Sequence, residues 1–117
     1  MKKAKIDIPE LEKIVRQIVE KFHPQKIILF GSRAYGKADK DSDFDLMIIM
    51  ETKERVVQTA AKISASIDHP FPLDILVYTP SEVKKRLEWG DGLLYDAIKK
   101  GIVLYEESAD QRVGEQS

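Results

Sequence analysis

The chain has 117 residues, of which 43% are hydrophobic and 33% are charged, the balance of a single soluble globular domain. The absence of cysteine excludes disulfides and thiolate metal sites. A net charge of −1 argues against an extensive nucleic-acid-binding surface, which requires a basic face. No apolar run approaches the roughly 20 residues of a membrane span, so we expect a cytoplasmic protein that contacts no membrane.

The first predicted element is an amphipathic helix. Its apolar residues recur at steps of three and four positions, which is the spacing of one helix face. They are Ile8, Leu11, Ile14, Val15, Ile18, Val19 and Phe22. Pro9 suits a first helical turn and Pro24 ends the segment. We interpret His23 as a residue of the helix end, because a metal site would need further ligands close by.

Four short apolar runs predict β-strands, because they are continuous and rich in Ile, Leu and Val. They are Lys26–Phe30, Leu46–Met50, Leu73–Tyr78 and Ile102–Tyr105. We expect the first two strands to be antiparallel neighbours. The 22 residues from Glu51 to Pro72 suffice for a helical crossover, so the third strand is expected to run parallel to the second. The last strand is expected at an edge of the sheet.

Further helices are predicted between and after these strands. Thr52 is the expected cap of a helix, and its inward face is Val56, Val57, Ala60, Ile63, Ser64 and Ile67. Thr79-Pro80-Ser81-Glu82 has the form of a capping box that begins another helix, with Val83 and Leu87 facing inward. The segment 89–92 interrupts that helix, and Leu93, Leu94, Ala97 and Ile98 form the apolar face of the last one. Trp89 is expected in the core, with stacking on a nucleotide base as the alternative.

Together these elements predict an α/β (α+β) fold. The expected architecture is a small mixed sheet of about four strands with helices packed mainly on one face. We expect residues 1–105 to form this single domain and residues 106–117, which are almost without apolar side chains, to form a mobile tail.

The segment that joins the first two strands, residues 31–46 (GSRAYGKADKDSDFDL), carries more charge than a turn needs. Asp43 and Asp45 are two positions apart where the second strand begins, so strand alternation points both carboxylates to one face. Asp74 would lie level with them in a parallel third strand. Carboxylates gathered in this way suit Mg²⁺, a hard ion that binds oxygen. Gly31-Ser32 supplies a close backbone approach, a hydroxyl and N–H groups for a phosphate.

Two other motifs nearly match the same segment. A P-loop beginning GSRAYGK is rejected, because Ala38 stands where Ser or Thr must hold Mg²⁺ and no periodic helix follows. A calcium-binding EF-hand loop beginning at Asp41 would need glycine where Leu46 stands. A solvated turn with incidental charges is the remaining alternative.

The pattern formed by Gly31-Ser32, ten intervening residues and Asp43-Phe44-Asp45 resembles the GS-x₁₀-DxD signature of the DNA polymerase beta nucleotidyltransferase superfamily. The run GSRAYG…SDFDL is most similar to its minimal nucleotidyltransferase (MNT) branch, of the MNT/HEPN toxin–antitoxin type. The likeness extends from about Lys26 to Tyr105. It implies a polymerase-beta-like nucleotidyltransferase fold, two Mg²⁺ ions and ATP as substrate.

The resemblance also implies roles for individual residues. The expected catalytic residues and metal ligands are Asp43, Asp45 and Asp74, and Asp74 is also a candidate base. The expected nucleotide-binding residues are Gly31, Ser32, Arg33 and Ser42. Lys37 is an alternative to Arg33 as the cation that neutralises the leaving pyrophosphate.

The implied activity is transfer of a nucleoside monophosphate, AMP from ATP, to a hydroxyl group. The expected acceptor is a tyrosine of a HEPN-domain toxin, which the MNT protein would neutralise as an antitoxin. The alternatives are nucleotidylation of a small hydroxylated molecule such as an aminoglycoside, and a non-catalytic nucleotide-binding or masking subunit. The sequence leaves base preference, contacts of Trp89 or Tyr95 with the base, and the oligomeric state, including a homo-oligomer, open.

Overall fold

A computed structural model describes residues 9–35, 43–68 and 72–107. Four strands and five helices lie within these ranges. The strands are β1 (Lys26–Phe30), β2 (Phe44–Ile49), β3 (Leu73–Tyr78) and β4 (Ile102–Glu106). The helices are α1 (Pro9–Phe22), the four-residue α2 (Ser32–Tyr35), α3 (Val56–Ser66), α4 (Pro80–Glu88) and α5 (Gly92–Lys100).

The strands form one mixed sheet in the order β3-β2-β1-β4. β1 is antiparallel to both β2 and β4, whereas β3 runs parallel to β2 after the α3 crossover. These pairings and the edge position of β4 confirm the predicted topology. The first and third strands have the predicted bounds. β2 runs from Phe44 to Ile49, so it begins two residues earlier and ends one residue earlier than predicted.

Apolar side chains cover both faces of the sheet, because β1 and β2 are buried along nearly their whole length. The larger cluster joins one face to α1 and α3. Its buried members are Leu11, Ile14, Ile18, Ile27, Leu29, Phe44, Leu46, Ile48, Met50, Ile63, Ile67 and Val77. The smaller cluster joins the opposite face to α5, through Ile28, Phe30, Met47, Ile49, Leu94 and Ala97. The predicted fold class is confirmed, with α5 covering the second face.

Helix α1 has the predicted start at Pro9, and its stripe Leu11, Ile14 and Ile18 is buried. Ile8 lies outside the described residues. The helix ends at Phe22 because His23 adopts a left-handed backbone conformation (φ 52°) and Pro24 cannot continue the hydrogen-bond ladder. His23 is therefore a residue of the helix end, as predicted.

The predicted start of α3 is wrong in one detail. Arg55, not Thr52, is the N-cap, and it makes no side-chain capping bond. The hydroxyl of Thr52 instead lies 2.9 Å from that of the buried Thr59. This hydrogen bond makes Thr59 part of the inward face, and that face excludes Val57, which is 74% exposed.

Helices α4 and α5 begin with side-chain caps. The N–H of Glu82 donates to Oγ1 of Thr79 at 3.2 Å, with Pro80 at the first helical position, which confirms Thr79 as the N-cap of the helix predicted here. The N–H of Leu94 donates to Oδ1 of Asp91 at 3.1 Å. The cap at Asp91 explains why α5 begins immediately after the interruption.

Three predictions of burial in this part of the chain are wrong. Trp89 was expected in the core but is 74% exposed, and Leu87 and Leu93 are 37% and 54% exposed. The physical reason is that α4 buries no residue, and that α5 packs on the sheet through Leu94 and Ala97, which leaves Leu93 on its solvent side. Leu94 and Ala97 are buried, as predicted.

The sheet extends slightly beyond the predicted boundary at residue 105. β4 continues to Glu106, and the N–H of Glu107 donates to the carbonyl oxygen of Gln25 at 2.9 Å. Residues 108–117, the rest of the predicted tail, lie outside the described ranges. None of the helices in the described part of the chain is long and apolar enough to cross a lipid bilayer.

The exposure of Trp89 predicts that its side chain contributes little to stability. We expect Trp89→Ala to change the free energy of unfolding by less than about 0.5 kcal/mol. Leu94→Ala, which empties a fully buried position on the neighbouring helix, should cost about 2–5 kcal/mol. Urea unfolding followed by circular dichroism measures both values, and a loss of several kcal/mol for the tryptophan variant would contradict the described exposure.

Candidate active site

Asp45 and Asp74 are direct neighbours across the parallel pair of strands β2 and β3. Partner residues of adjacent strands point to the same face of a sheet. Phe44 and Leu46, on either side of Asp45, belong to the cluster beneath α1 and α3, so both carboxylates lie on the opposite face. We call this side of the sheet, with Asp45 and Asp74, the acidic face. The predicted approach of Asp74 to the second strand is thus present in the structure.

Asp43 immediately precedes β2 and is exposed, Asp45 is half-buried, and Asp74 is exposed. Asp43 stands two positions before Asp45, so the same alternation directs it toward the acidic face. The three carboxylates therefore lie along the end of the sheet at which β2 and β3 begin. This end is open to a ligand from solvent, because two of the three side chains are exposed.

The acidic face places like charges close together. Burial raises the pKa of the Asp45 carboxyl above its ordinary value, and the negative charges of Asp74 and Asp43 raise it further. Protonated Asp45 can donate a hydrogen bond to the Asp74 carboxylate, and this raises the pKa of Asp45 as well. A cation bound between the carboxylates would offset the repulsion that contributes to this raised pKa.

Gly31, which follows β1, lies against Asp45. Its backbone has φ +81°, a left-handed conformation that favours glycine. A Cβ atom on this residue would overlap Oδ2 of Asp45. Gly31 is therefore required both by its own backbone and by the space that the Asp45 carboxylate occupies, and the Gly-Ser turn is held beside the acidic face.

The structure describes only part of the remaining predicted nucleotide-binding residues. Ser32 begins the four-residue helix α2, which puts its backbone directly after Gly31. The guanidinium of Arg33 lies 4.3 Å from the centroid of the Phe44 ring, whose side chain belongs to the face opposite Asp45. Ser42 and Lys37 lie outside the described residues. The nucleotide-binding roles of these side chains stay predictions.

The carboxylates of Asp45 and Asp74 suit a Mg²⁺ ion that also binds water and substrate phosphates. Within residues 9–35, 43–68 and 72–107, no three acidic, histidine or cysteine side chains are already arranged to hold a metal ion. Mg²⁺ is commonly held by one or two carboxylates together with water and substrate phosphates, not by a cage made only of protein. The paired oxygens of Asp45 and Asp74 match that requirement.

Sequence reasoning missed one residue of the acidic face. Leu76 is 37% exposed and stands two positions after Asp74 in β3, so it lies on the same side of the sheet. It gives the acidic face an apolar border. The alternation of β3 that was used for Asp74 also identifies Leu76.

The family comparison agrees with this geometry. The sequence model of the family described as "Polymerase beta, Nucleotidyltransferase" matches residues 12–110, which is most of the chain. The chain belongs to this nucleotidyltransferase family. The match includes both strands of the acidic face and the Gly-Ser turn, and it confirms the superfamily predicted from the GS-x₁₀-DxD pattern.

Three solved structures share the fold. A putative nucleotidyltransferase from Sulfolobus solfataricus aligns over 90% of this chain and 86% of its own, with a TM-score of 0.62 and 20% identity. A toxin–antitoxin structure with AMP-PNP aligns over 87% and 78%, with a TM-score of 0.52 and 18% identity. A mutant of the toxin–antitoxin MntA-HpeT aligns over 88% and 77%, with a TM-score of 0.52 and 19% identity. No curated protein matches the sequence significantly.

The contact between Gly31 and Asp45 is testable by comparison with Gly90. Both glycines have positive φ, but a Cβ on Gly90 would meet nothing within 4 Å. Gly90→Ala should therefore cost only the backbone penalty, about 1–2 kcal/mol, whereas Gly31→Ala should cost more because the methyl group displaces the Asp45 carboxylate. Urea unfolding of both variants measures the difference.

A double-mutant cycle gives the control for this comparison. In an Asp45→Ala background the carboxylate is gone, so the loss caused by Gly31→Ala should fall to that of Gly90→Ala. Equal losses for Gly31→Ala with and without Asp45 would show that the two residues do not interact.

The raised pKa of Asp45 predicts a dependence of stability on pH. The folded protein holds this proton to a higher pH than the unfolded chain, so the stabilisation from protonation is lost as pH rises through the folded-state pKa. In EDTA at pH 7, Asp45→Asn should therefore unfold at a higher urea concentration than the natural protein, and the gap should close toward acid pH. Glu20→Gln on α1, an exposed carboxylate away from the acidic face, should show no gap.

Proposed function

We propose that this protein is a Mg²⁺-dependent nucleotidyltransferase that transfers AMP from ATP to a hydroxyl group of a partner protein. The observation that carries the proposal is the register of Asp45 with Asp74 beside Gly31, in a chain of the polymerase beta nucleotidyltransferase family. We infer that the acceptor is a tyrosine of a HEPN-domain toxin and that the chain acts as its antitoxin.

The roles of the acidic residues follow from their positions. Asp43 and Asp45 would hold one Mg²⁺, and Asp74, on the neighbouring strand, would help to hold a second. When bound, the two ions neutralise the triphosphate and the charge that develops on the attacking and leaving oxygens. The backbone of Gly31 and Ser32 would bind the β- and γ-phosphates, since the turn lies beside Asp45 and has no Cβ at its first residue.

The proposed reaction is a single in-line displacement at the α-phosphorus of ATP. The acceptor hydroxyl oxygen forms a bond to that phosphorus, and the bond from the phosphorus to the pyrophosphate oxygen breaks. Asp74 accepts the hydroxyl proton, because its exposed carboxylate is the one nearest to the open side of β3. The products are the adenylylated acceptor and pyrophosphate.

Two observations support a macromolecular acceptor. β3 is an edge strand and Asp74 is exposed, so a hydroxyl carried on a protein surface can approach it from the side. Two of the solved structures with this fold are toxin–antitoxin structures, one of them with AMP-PNP. The proposal extends that association to this chain.

The decisive experiment identifies the acceptor by labelling. The protein is incubated with α-labelled ATP, Mg²⁺ and the product of its neighbouring gene, and the labelled species are separated and mapped by mass spectrometry. We expect label on a tyrosine of the partner. Label on an aminoglycoside alone would favour the small-molecule alternative, and Mg²⁺-dependent ATP binding without transfer would favour a non-catalytic subunit.

Substitutions at the paired carboxylates test the catalytic assignment. Asp45→Asn and Asp74→Asn should each lower the transfer rate by at least about 100-fold. Each substitution removes a carboxylate that would bind the Mg²⁺ ions at the triphosphate. Circular dichroism should show an unchanged fold, and Glu20→Gln serves as a carboxylate-to-amide control on α1. Transfer at the natural rate by either aspartate variant would overturn the mechanism.

A further inference from the structure

A groove lies along the edge of the sheet that is farthest from β3. It has a volume of about 450 Å³ and runs between α1 and the edge strand β4. Its apolar lining is Leu11, Val15, Val19, Val103, Leu104 and Tyr105. Val15, Val19, Leu104 and Tyr105 are half-buried, so the groove leaves part of their apolar area in contact with water.

A β-bulge shapes the groove. Ile27 pairs with Tyr105 and Ile28 with Val103, so Leu104 is an extra residue in β4. The bulge interrupts strand alternation, so the consecutive residues Leu104 and Tyr105 both pack on the cluster beneath α1, whereas Val103, the partner of Ile28, belongs to the opposite face. A bulge at an edge also disfavours the addition of another strand, so this surface is suited to contacts between side chains.

Two opposite charges stand on the α1 side of the groove. Glu12 and Arg16 line it, both are exposed, and they are one helical turn apart. Within the part of the chain that the structure describes, neither makes an ion pair or a side-chain hydrogen bond. The groove therefore presents an apolar surface with one unpaired anion and one unpaired cation beside it.

We propose that this groove is the docking surface for a second copy of the same chain. In a two-fold arrangement every contact occurs twice, and residue i of one copy meets residue j of the other. Antiparallel α1 helices would then place Glu12 of each copy against Arg16 of its partner, while the apolar linings cover each other. The charge pattern is self-complementary, which is the property that such an interface requires.

The proposed dimer leaves the acidic face accessible. β4 and β3 are the two opposite edges of the sheet, so a copy docked at β4 does not cover Asp74. Each copy of the dimer can thus present its own acidic face to an acceptor.

Charge reversal tests the pairing directly in the full-length protein. Analytical ultracentrifugation over a range of concentrations should show a dimer of the natural chain. Glu12→Arg and Arg16→Glu should each raise the dissociation constant by at least about tenfold, because every pair becomes a repulsion. Mixing the two variants in equal amounts should restore a dimer made of one copy of each, as should the double variant carrying both substitutions.

Neighbouring residues of α1 provide matched controls. Glu10→Arg and Lys13→Glu change charge by the same amounts on the same helix, but these exposed side chains do not line the groove. Both should dimerise like the natural chain. Circular dichroism shows whether each variant is folded before it is compared.

Three outcomes would overturn the proposal. The first is a natural chain that stays monomeric at every concentration, and the second is single variants that dimerise as tightly as the controls. The third is a dimer that appears only after residues 1–8 or 108–117 are deleted, since the groove would then bind the chain's own terminal segment. Transfer activity is not the readout, so failure here is distinguishable from failure of the proposed enzymatic function.

Discussion

The hydrogen-bonded ladder between β2 and β3 holds two negatively charged groups together that would otherwise separate. Unit charges about 4 Å apart near a protein surface repel by about 4 kcal/mol. Burial of one large aliphatic side chain stabilises a fold by about 1.5–3 kcal/mol, and Leu46, Met47 and Ile48 of β2 are all fully buried. The hydrophobic contacts of β2 are therefore large enough to maintain an unfavourable arrangement of charge at its first residues.

This arrangement explains why the chemistry lies at one end of the sheet. A shift of β3 by a single residue would turn Asp74 to the face covered by α1 and α3. The alternation of Leu73, Ile75 and Val77 toward that face opposes such a shift, because it would expose apolar side chains. The same pattern that buries β3 thus fixes the position of its aspartate relative to Asp45.

Sequence reasoning predicted the parts of the fold that depend on local patterns. Continuous apolar runs identified the strands, and the crossover length identified the parallel pair that brings Asp74 to Asp45. Burial around α4 was not predictable, because Leu87 and Trp89 have the residue types of a core but lie on, or directly after, a helix that buries no residue. The contact of Gly31 with Asp45 was also not predictable, since it depends on the register of β1 and β2, which pairs Phe30 with Asp45, and not on spacing along the chain.

The position of Arg33 shows a similar limit. Its charge and its place after the Gly-Ser turn predict a phosphate ligand, and this role stays a prediction; its guanidinium lies 4.3 Å from the centroid of the Phe44 ring, a contact that spacing did not indicate. Residue type and spacing give the available chemistry, whereas the direction of a long side chain is decided by the nearest favourable surface.

The fit of Gly31 against Asp45 makes these two positions mutually dependent in evolution. A residue with a Cβ at the position of Gly31 would displace the carboxylate of an aspartate at the position of Asp45. We therefore expect loss of the glycine to accompany loss of the carboxylate among relatives of this chain.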